Sequence, residues 1–72
     1  MDYTKRLFDL RVDNELRQED IAQILKTTKQ NYGMYENGQR RLKIEDAIKL
    51  AKFFKVSTDY LLGLTNNPKK FW

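Results

Sequence analysis

The 72-residue chain has no cysteine, no histidine and only one proline. Without cysteine there is no disulfide framework, and nothing marks the chain as secreted. The usual zinc sites need cysteine or histidine, so they are excluded as well. An acid at position 2 and the lack of an uninterrupted apolar stretch argue against a signal peptide or a membrane span. We therefore expect a soluble, cytoplasmic protein, whose single small core depends on apolar packing.

Positive charge is concentrated in the middle of the chain. The formal net charge is +4, and residues 26–55 carry eight basic and three acidic side chains, whereas residues 1–25 carry four basic and six acidic ones. Such a segment could meet a polyanion. The alternative is that the lysines are simply solvated on helix surfaces. Charge alone does not decide between the two.

Apolar residues recur at three- and four-residue steps through most of the chain, which is the period of amphipathic helices. No alternating run is long enough to indicate a strand, so the sequence predicts an all-α fold of five short helices. These cover about Thr4–Asp13, about Gln18–Leu25, a stretch that starts after Thr28 and ends near Asn37-Gly38, about Ile44–Phe54, and one or two turns after Ser57. Residues 1–64 would form the domain, and residues 65–72 a tail that is mobile or associated with a dimer.

Local signals mark the helix ends. Asn14 is expected to take a left-handed conformation that ends the first helix, and Gly38 to stop the third. Thr28 and Ser57 are candidate N-caps. One apolar face is expected on the fourth helix, formed by Ile44, Ala47, Ile48, Ala51 and Phe54.

The second and third helices are joined by only a few residues, so they must cross closely. Ala22 supplies the small residue that a close crossing needs, and Tyr32 and Tyr35 of the third helix face inward at helical spacing. The opposite side of the third helix is then exposed. It carries Gln30, Gly33, Met34 and Asn37, with Lys29 and Asn31 on its flanks.

This exposed side has the chemistry of a surface that reads DNA bases. Glutamine can pair with adenine, lysine can reach guanine or a phosphate, and methionine can cover a thymine methyl group. Gly33 costs about 1 kcal/mol of helix stability relative to alanine, which suggests that the backbone lies close to the DNA. The alternative is that Gln30, Asn31 and Asn37 are ordinary polar surface.

The sequence does not predict an enzyme. Acid–base catalysis needs a positioned titratable pair in a pocket, whereas the neighbouring Glu19 and Asp20 face different sides of a short helix. No glycine-rich phosphate loop is present, and we expect no cofactor, no metal and no small-molecule ligand.

Several short motifs point to one family. They are Arg6-Leu7…Leu10-Arg11, Gln18-Glu19-Asp20-Ile21-Ala22, Tyr35-Glu36-Asn37-Gly38, Leu50-Ala51-Lys52 and Val56-Ser57-Thr58-Asp59-Tyr60-Leu61-Leu62-Gly63. With these strings at this spacing, the chain resembles the Cro-and-repressor-type (XRE) helix-turn-helix family, with a five-helix lambda-repressor-like fold. The resemblance covers roughly Arg6 to Gly63. It implies a sequence-specific transcriptional regulator of bacterial or phage type, expected to be a repressor, that binds double-stranded DNA with its third helix in the major groove.

The resemblance also implies roles for individual residues. The base-reading positions are Lys29, Gln30, Asn31 and Met34. The phosphate-contacting positions are Gln18, Thr28, Asn37, Arg40 and Arg41. Arg11 and Glu36 match a pair that forms an internal salt bridge between the first and third helices, so their expected role is structural.

Four positions depart from the family pattern. Lys26 and Glu15 stand where glycine is common, and Arg17 replaces the usual serine or threonine cap before the second helix. Tyr32 replaces a smaller β-branched residue, so the third helix is expected to sit slightly farther from the second.

A candidate dimer patch lies toward the C-terminus. It consists of Phe53, Tyr60, Leu64, Phe71 and Trp72. The alternative is that Phe53 tucks under the fifth helix. Similar proteins bind two-fold operators as dimers, so we expect a weak homodimer on a palindromic operator. A partner-controlled interaction module, such as an antitoxin-type regulator, is the alternative function.

Overall fold

A computed structural model describes residues 3–68, which contain five α-helices and no strand. The helices are α1 (Tyr3–Asp13), α2 (Gln18–Leu25), α3 (Lys29–Asn37), α4 (Ile44–Phe54) and α5 (Thr58–Leu61). The predicted all-α class is confirmed, and the bounds of α2 and α4 are those expected from the sequence. Within residues 3–68, none of the helices has the length and apolar character that crossing a bilayer requires.

Side-chain oxygens cap the N-termini of α3 and α5, as predicted. Thr28 Oγ1 accepts a hydrogen bond from the Asn31 backbone N–H, and Ser57 Oγ accepts one from the Tyr60 N–H, both at 3.0 Å. Arg17 offers α2 no such oxygen. Instead, the Asp20 carboxylate accepts a hydrogen bond from the Arg17 backbone N–H at 2.8 Å. This reverse bond offsets the weak cap that the sequence indicated.

Within residues 3–68, three residues other than glycine adopt the left-handed conformation, namely Glu15 (φ 58°), Lys26 (φ 58°) and Lys55 (φ 60°). The first two stand where the family commonly has glycine. The prediction that Asn14 would be the left-handed residue after α1 is wrong, because Glu15 takes that conformation. The Asn14 side-chain amide instead donates to the Leu10 carbonyl at 2.7 Å and closes the last turn of α1.

All five helices contribute to one core. Tyr32 and Tyr35, the two inward tyrosines of α3, are fully buried, and their rings meet edge to face with centroids 6.5 Å apart. Ala22 on α2 is also buried. α3 packs against both α2 and α1. The apolar residues buried with them are Leu7, Ile21, Leu25, Leu42, Ala47, Leu50, Ala51, Val56 and Leu61.

The apolar face predicted for α4 is partly wrong. Ile44 is 68% exposed and Ile48 is 41% exposed, whereas Ala47, Leu50 and Ala51 are buried. Seven of the 11 residues of α4 are apolar, so the period allows more than one inward face. α4 packs against both α2 and α5, and the face with two small alanines permits a close approach to these neighbours.

The first residues of the C-terminal tail lie against the domain. Arg6 Nη1 donates to the Thr65 carbonyl at 3.3 Å, and Arg6 Nη2 donates to Asn66 Oδ1 at 3.1 Å. The Ser57 backbone N–H donates to the Pro68 carbonyl at 3.3 Å. Thr65, Asn66 and Pro68 are therefore hydrogen-bonded to α1 and to the residue that precedes α5. Phe71 and Trp72 lie outside the described residues.

Candidate nucleic-acid interface

A buried ion pair fixes α3 to α1. Arg11 Nε donates to Glu36 Oε2 and Arg11 Nη2 donates to Glu36 Oε1, both at 2.9 Å, so the pair is bidentate. The Arg11 side chain is 14% exposed and that of Glu36 is 6% exposed. Arg11 Nη1 also donates to the Leu16 carbonyl at 3.0 Å, at the entrance to α2. Bidentate geometry restrains rotation as well as distance, so the pair sets the orientation of α3.

The surroundings of Glu36 and Arg11 favour the charged form of both side chains. Burial alone would raise the pKa of Glu36, but hydrogen bonds from Arg11 and Gln18 outweigh it, and the pKa lies below its ordinary value of 4.5. The hydrogen bond to Glu36 raises the pKa of Arg11 despite its burial. Burial, together with the nearby Glu36 charge, raises the pKa of the Tyr32 hydroxyl. Glu36 and Arg11 are therefore both charged at neutral pH.

Gln18 connects this buried pair to the surface. Its Nε2 donates to Glu36 Oε1 at 3.3 Å. A side-chain amide has two donors on nitrogen and an acceptor on oxygen, so Gln18 keeps hydrogen-bonding capacity for a ligand after it has bonded Glu36. The half-buried residue at the start of α2 is thus held in place by α3.

α3 is also tied to α4 on its inner side. Tyr35 Oη donates to Asp46 Oδ2 at 2.7 Å, and burial followed by this hydrogen bond raises the pKa of Tyr35. Beyond the end of α3, the Leu42 backbone N–H donates to the Tyr3 hydroxyl oxygen at 3.0 Å. These contacts immobilise the inner face of α3 and the segment that follows it, and they leave the outer face uncovered.

The outer face of α3 forms a shallow groove of about 470 Å³. It is lined by Gln18, Lys29, Gln30, Gly33, Met34, Asn37 and Gln39. Lys29 and Gln30 are exposed, and Met34 is half-buried. The structure therefore brings together three of the four proposed base-reading residues, with Gln18 at the edge of the same groove.

Asn31, the fourth proposed base-reading residue, lies apart from the groove lining. Its Nδ2 donates to Thr27 Oγ1 at 3.0 Å, and its backbone N–H completes the Thr28 cap. The side chain is half-buried. Because one donor is already engaged, the Asn31 amide has less capacity for a base than the amide of Gln30.

Four of the proposed phosphate contacts lie at or just beyond the two ends of α3. Thr28 is exposed at the N-terminus of the helix, and Asn37, Arg40 and Arg41 are exposed at and after its C-terminus. Asn37 Oδ1 accepts a hydrogen bond from the Gln39 backbone N–H at 3.0 Å. The same Gln39 N–H lies 2.9 Å from the Met34 carbonyl, so the chain turns back after Gly38.

Sequence reasoning missed two features beside the predicted residues. Gln39 lines the groove because the left-handed Gly38 (φ 83°) folds the chain back over α3. A second concavity of about 470 Å³ lies between α1 and α3, and it includes Thr4, Lys5 and Phe8 of α1. The Asn-Gly pair was a signal for the turn, whereas the second concavity depends on the packing angle of α1, for which the sequence holds no local signal.

The described part of the proposed dimer patch is partly exposed. Phe53 is 44% exposed and Leu64 is 60% exposed. Phe53 packs edge-on against Phe54 with centroids 5.1 Å apart, so it is not enclosed beneath α5. The Arg6 guanidinium covers the ring of Tyr60 at 3.9 Å from its centroid. One face of Tyr60 is therefore already occupied.

Comparison with known proteins agrees with the fold described above. A family model described as helix-turn-helix matches residues 7–61. The HTH-type transcriptional regulator YobD of Bacillus subtilis is 36% identical over 66 residues, which cover 92% of this chain and 59% of YobD. The transcriptional repressor RstR of the cryptic phage CTXphi in Vibrio cholerae is 39% identical over 54 residues, 75% of this chain and 49% of RstR.

A solved structure shows the same architecture. The crystal structure of a transcriptional regulator from Listeria innocua superposes with a TM-score of 0.84 at 27% identity, covering 99% of this chain and 64% of that one. The fold and the short α2–α3 connection define a helix-turn-helix domain. The chain belongs to the helix-turn-helix family, of the Cro-and-repressor (XRE) type. It spans about half to two thirds of the length of these relatives. Their names describe transcriptional regulators, not enzymes.

Proposed function

We propose that the chain is a sequence-specific, double-stranded-DNA-binding transcriptional regulator that acts as a repressor. The main observation behind this proposal is the outer face of α3, where Lys29, Gln30 and Met34 line one groove. The Arg11–Glu36 ion pair fixes the orientation of the helix from its inner side. An α-helix fits the major groove, where amide, ammonium and thioether groups can discriminate base pairs. The names of YobD and RstR, a regulator and a repressor, agree with it.

The division of labour within the interface is part of the proposal. Gln30 and its neighbours in the groove read bases, whereas Arg40 and Arg41, exposed after α3, contact phosphates. Phosphate contacts supply affinity that depends on salt and not on sequence. Two copies on a two-fold operator would place two α3 helices one turn of DNA apart.

The first experiment is a selection of bound duplexes from a random DNA pool, followed by affinity measurements on two variants. Gln30→Ala is expected to cost about 1–3 kcal/mol at one base pair and to relax the preference there. Arg41→Ala is expected to weaken all duplexes alike and to reduce the salt slope by about 1. Lys52→Ala, in the last turn of α4 and outside the proposed contacts, serves as the charge control.

Two results would contradict the proposal. A pool without enriched duplexes would argue against sequence-specific binding. If Gln30→Ala and Arg41→Ala had the same effect on every sequence, the assignment of base-reading and phosphate-contacting roles would be wrong.

The exposed Phe53 and Leu64 favour a second candidate function, a partner-controlled interaction module. In that case, DNA binding would change when a protein partner covered these side chains. The two candidates differ in a simple respect, because only the first requires that the isolated chain select a duplex sequence without another protein.

A further inference from the structure

Gly33 is the one glycine of the three in this chain whose backbone conformation does not call for glycine. Gly38 and Gly63 have positive φ values of 83° and 80°. Gly33 instead lies in the middle of α3, where an ordinary helical conformation suits any L-residue. Glycine weakens a helix interior because it loses more backbone freedom on folding than alanine does. Its presence therefore needs a reason outside the backbone.

Packing within the domain does not supply that reason. A Cβ placed on Gly33 would meet Gln18, with Oε1 at 3.5 Å and Cδ and Nε2 at 4.0 Å. These are ordinary van der Waals distances, so an alanine side chain would fit without displacing its neighbours. The missing methyl group leaves a gap at the surface of α3, and Gln18, held by Glu36, forms one wall of that gap.

The gap lies at the centre of the candidate interface. Gly33, Gln18 and Asn37 line both the groove on the outer face of α3 and the concavity between α1 and α3. Met34, which carries a polarisable thioether, follows Gly33 in the chain and lines the same groove. A small apolar group from a ligand could thus rest on the Gly33 Cα and contact the side chains of Gln18 and Met34.

We propose that the gap at Gly33 receives the 5-methyl group of one thymine in each half-site, so that Gly33 is a specificity-determining residue. The inference rests on the proposed function, because it needs α3 in the major groove. Thymine is the base that presents a methyl group there, and apolar contact is how proteins read it. Because Gly33 has no Cβ, a thymine methyl group can come into van der Waals contact with its Cα.

The test uses the duplexes that the wild-type chain selects from a random pool. Each thymine is replaced in turn by deoxyuridine, which removes only the methyl group, and affinity is measured for the wild type and for Gly33→Ala. We expect one thymine per half-site whose replacement weakens wild-type binding about 3- to 10-fold. Gly33→Ala is expected to bind the thymine duplex more weakly and to show no further loss with deoxyuridine at that position, because its own Cβ fills the gap.

Urea denaturation of both proteins separates binding from folding. Gly33→Ala is expected to unfold at a higher urea concentration than the wild type, since alanine favours the helix. A lower midpoint would show that the fold needs the glycine and would overturn the inference. Equal affinities of the two proteins, or equal losses with deoxyuridine, would also overturn it while leaving the proposed function intact. A pool without any selected duplex would overturn the proposed function, and this inference with it.

Discussion

At the scale of the residue, Glu36 ties α3 to both α1 and α2. It accepts two hydrogen bonds from Arg11 and one from Gln18, and it lies almost wholly out of solvent. Removing one partner of a buried ion pair leaves the other charge without compensation, which costs more than the pair itself contributes. Glu36 therefore affects both the stability of the fold and the geometry of the interface.

The Glu36→Gln variant is expected to lose about 3 kcal/mol of unfolding free energy at neutral pH. The pKa of Glu36 is lowered in the folded state from 4.5, so its contribution is full above about pH 4.5 and is lost as the pH falls through the folded value. The stability difference between wild type and variant is thus expected to be constant from pH 7 to 5 and to shrink below about pH 4.5. Urea titrations followed by circular dichroism measure it.

Asp9→Asn is the matched control for that experiment. Its partner Lys5 is 79% exposed and the Lys5 Nζ–Asp9 Oδ2 distance is 3.3 Å, so solvent screens the pair and the expected loss is below about 0.5 kcal/mol. A similar loss in both variants would show that the Arg11–Glu36 pair has no special role.

Lys26 gives a second prediction at the residue scale. It adopts φ 58° at the end of α2, a conformation that is unfavourable for residues with a Cβ and easy for glycine. Lys26→Gly is expected to raise the free energy of unfolding by about 1 kcal/mol. Lys49→Gly, at an exposed position inside α4, is expected to lower it by about the same amount. Thermal or urea unfolding that showed losses in both variants would argue against strain at Lys26.

At the scale of the element, helix ends were easier to predict from the sequence than helix faces. Thr28 and Ser57 cap α3 and α5 by accepting a hydrogen bond from the backbone N–H three residues further along the chain. Such bonds depend only on residues that are close in sequence. The inward face of α4 depends instead on which neighbours it meets. With apolar residues on most of its surface, the period could not distinguish Leu50 from Ile48.

The same contrast applies to the candidate interface. Helical spacing placed Tyr32 and Tyr35 in the core and left Lys29, Gln30 and Met34 outside, because the two tyrosines share one side of α3. The contacts of Arg6 with Tyr60, Thr65 and Asn66 join residues 54 to 60 positions apart. No local pattern indicates such contacts, so the docking of residues 65–68 could not be predicted.

The corrected face of α4 leads to a prediction for two aliphatic residues of that helix. Leu50 is fully buried, and Leu50→Ala is expected to cost about 2–5 kcal/mol through lost contacts and a cavity. Ile44 is 68% exposed, and Ile44→Ala is expected to change stability by no more than about 0.5 kcal/mol. Chemical denaturation of both variants measures the difference. Equal losses of unfolding free energy in the two variants would indicate that Ile44 is packed in the core, which would contradict the packing described above.

At the scale of the whole molecule, Arg6 joins the two ends of the domain. Its guanidinium donates to the Tyr60 carbonyl at 2.7 Å and covers the Tyr60 ring, while its other contacts hold Thr65 and Asn66. α1 therefore carries Arg6, which binds the C-terminal segment, and Arg11, which binds α3. Through this one helix, the position of the segment after α5 is mechanically linked to that of the proposed reading helix.

Phe53 and Leu64, two exposed apolar residues near this end of the molecule, are expected to form the contact between two copies of the chain. Each chain has a formal net charge of +4, so two copies repel each other at low salt, and screening relieves that repulsion. We expect a weak homodimer whose association strengthens with salt, whereas DNA binding weakens with salt as counterions compete for phosphates. Sedimentation equilibrium at two salt concentrations measures the first effect.

Variants identify the surface involved. Phe53→Ser combined with Leu64→Ser is expected to abolish the dimer and to reduce binding to a palindromic duplex while leaving binding to a single half-site unchanged. Ile44→Ser removes an apolar side chain that is 68% exposed on the other side of α4, and it is expected to leave association intact. If the wild type remained monomeric, both free and on a palindromic duplex, the dimer would be excluded. If Ile44→Ser alone disrupted it, the interface would lie on the opposite face of α4, because exposure by itself does not distinguish the two patches.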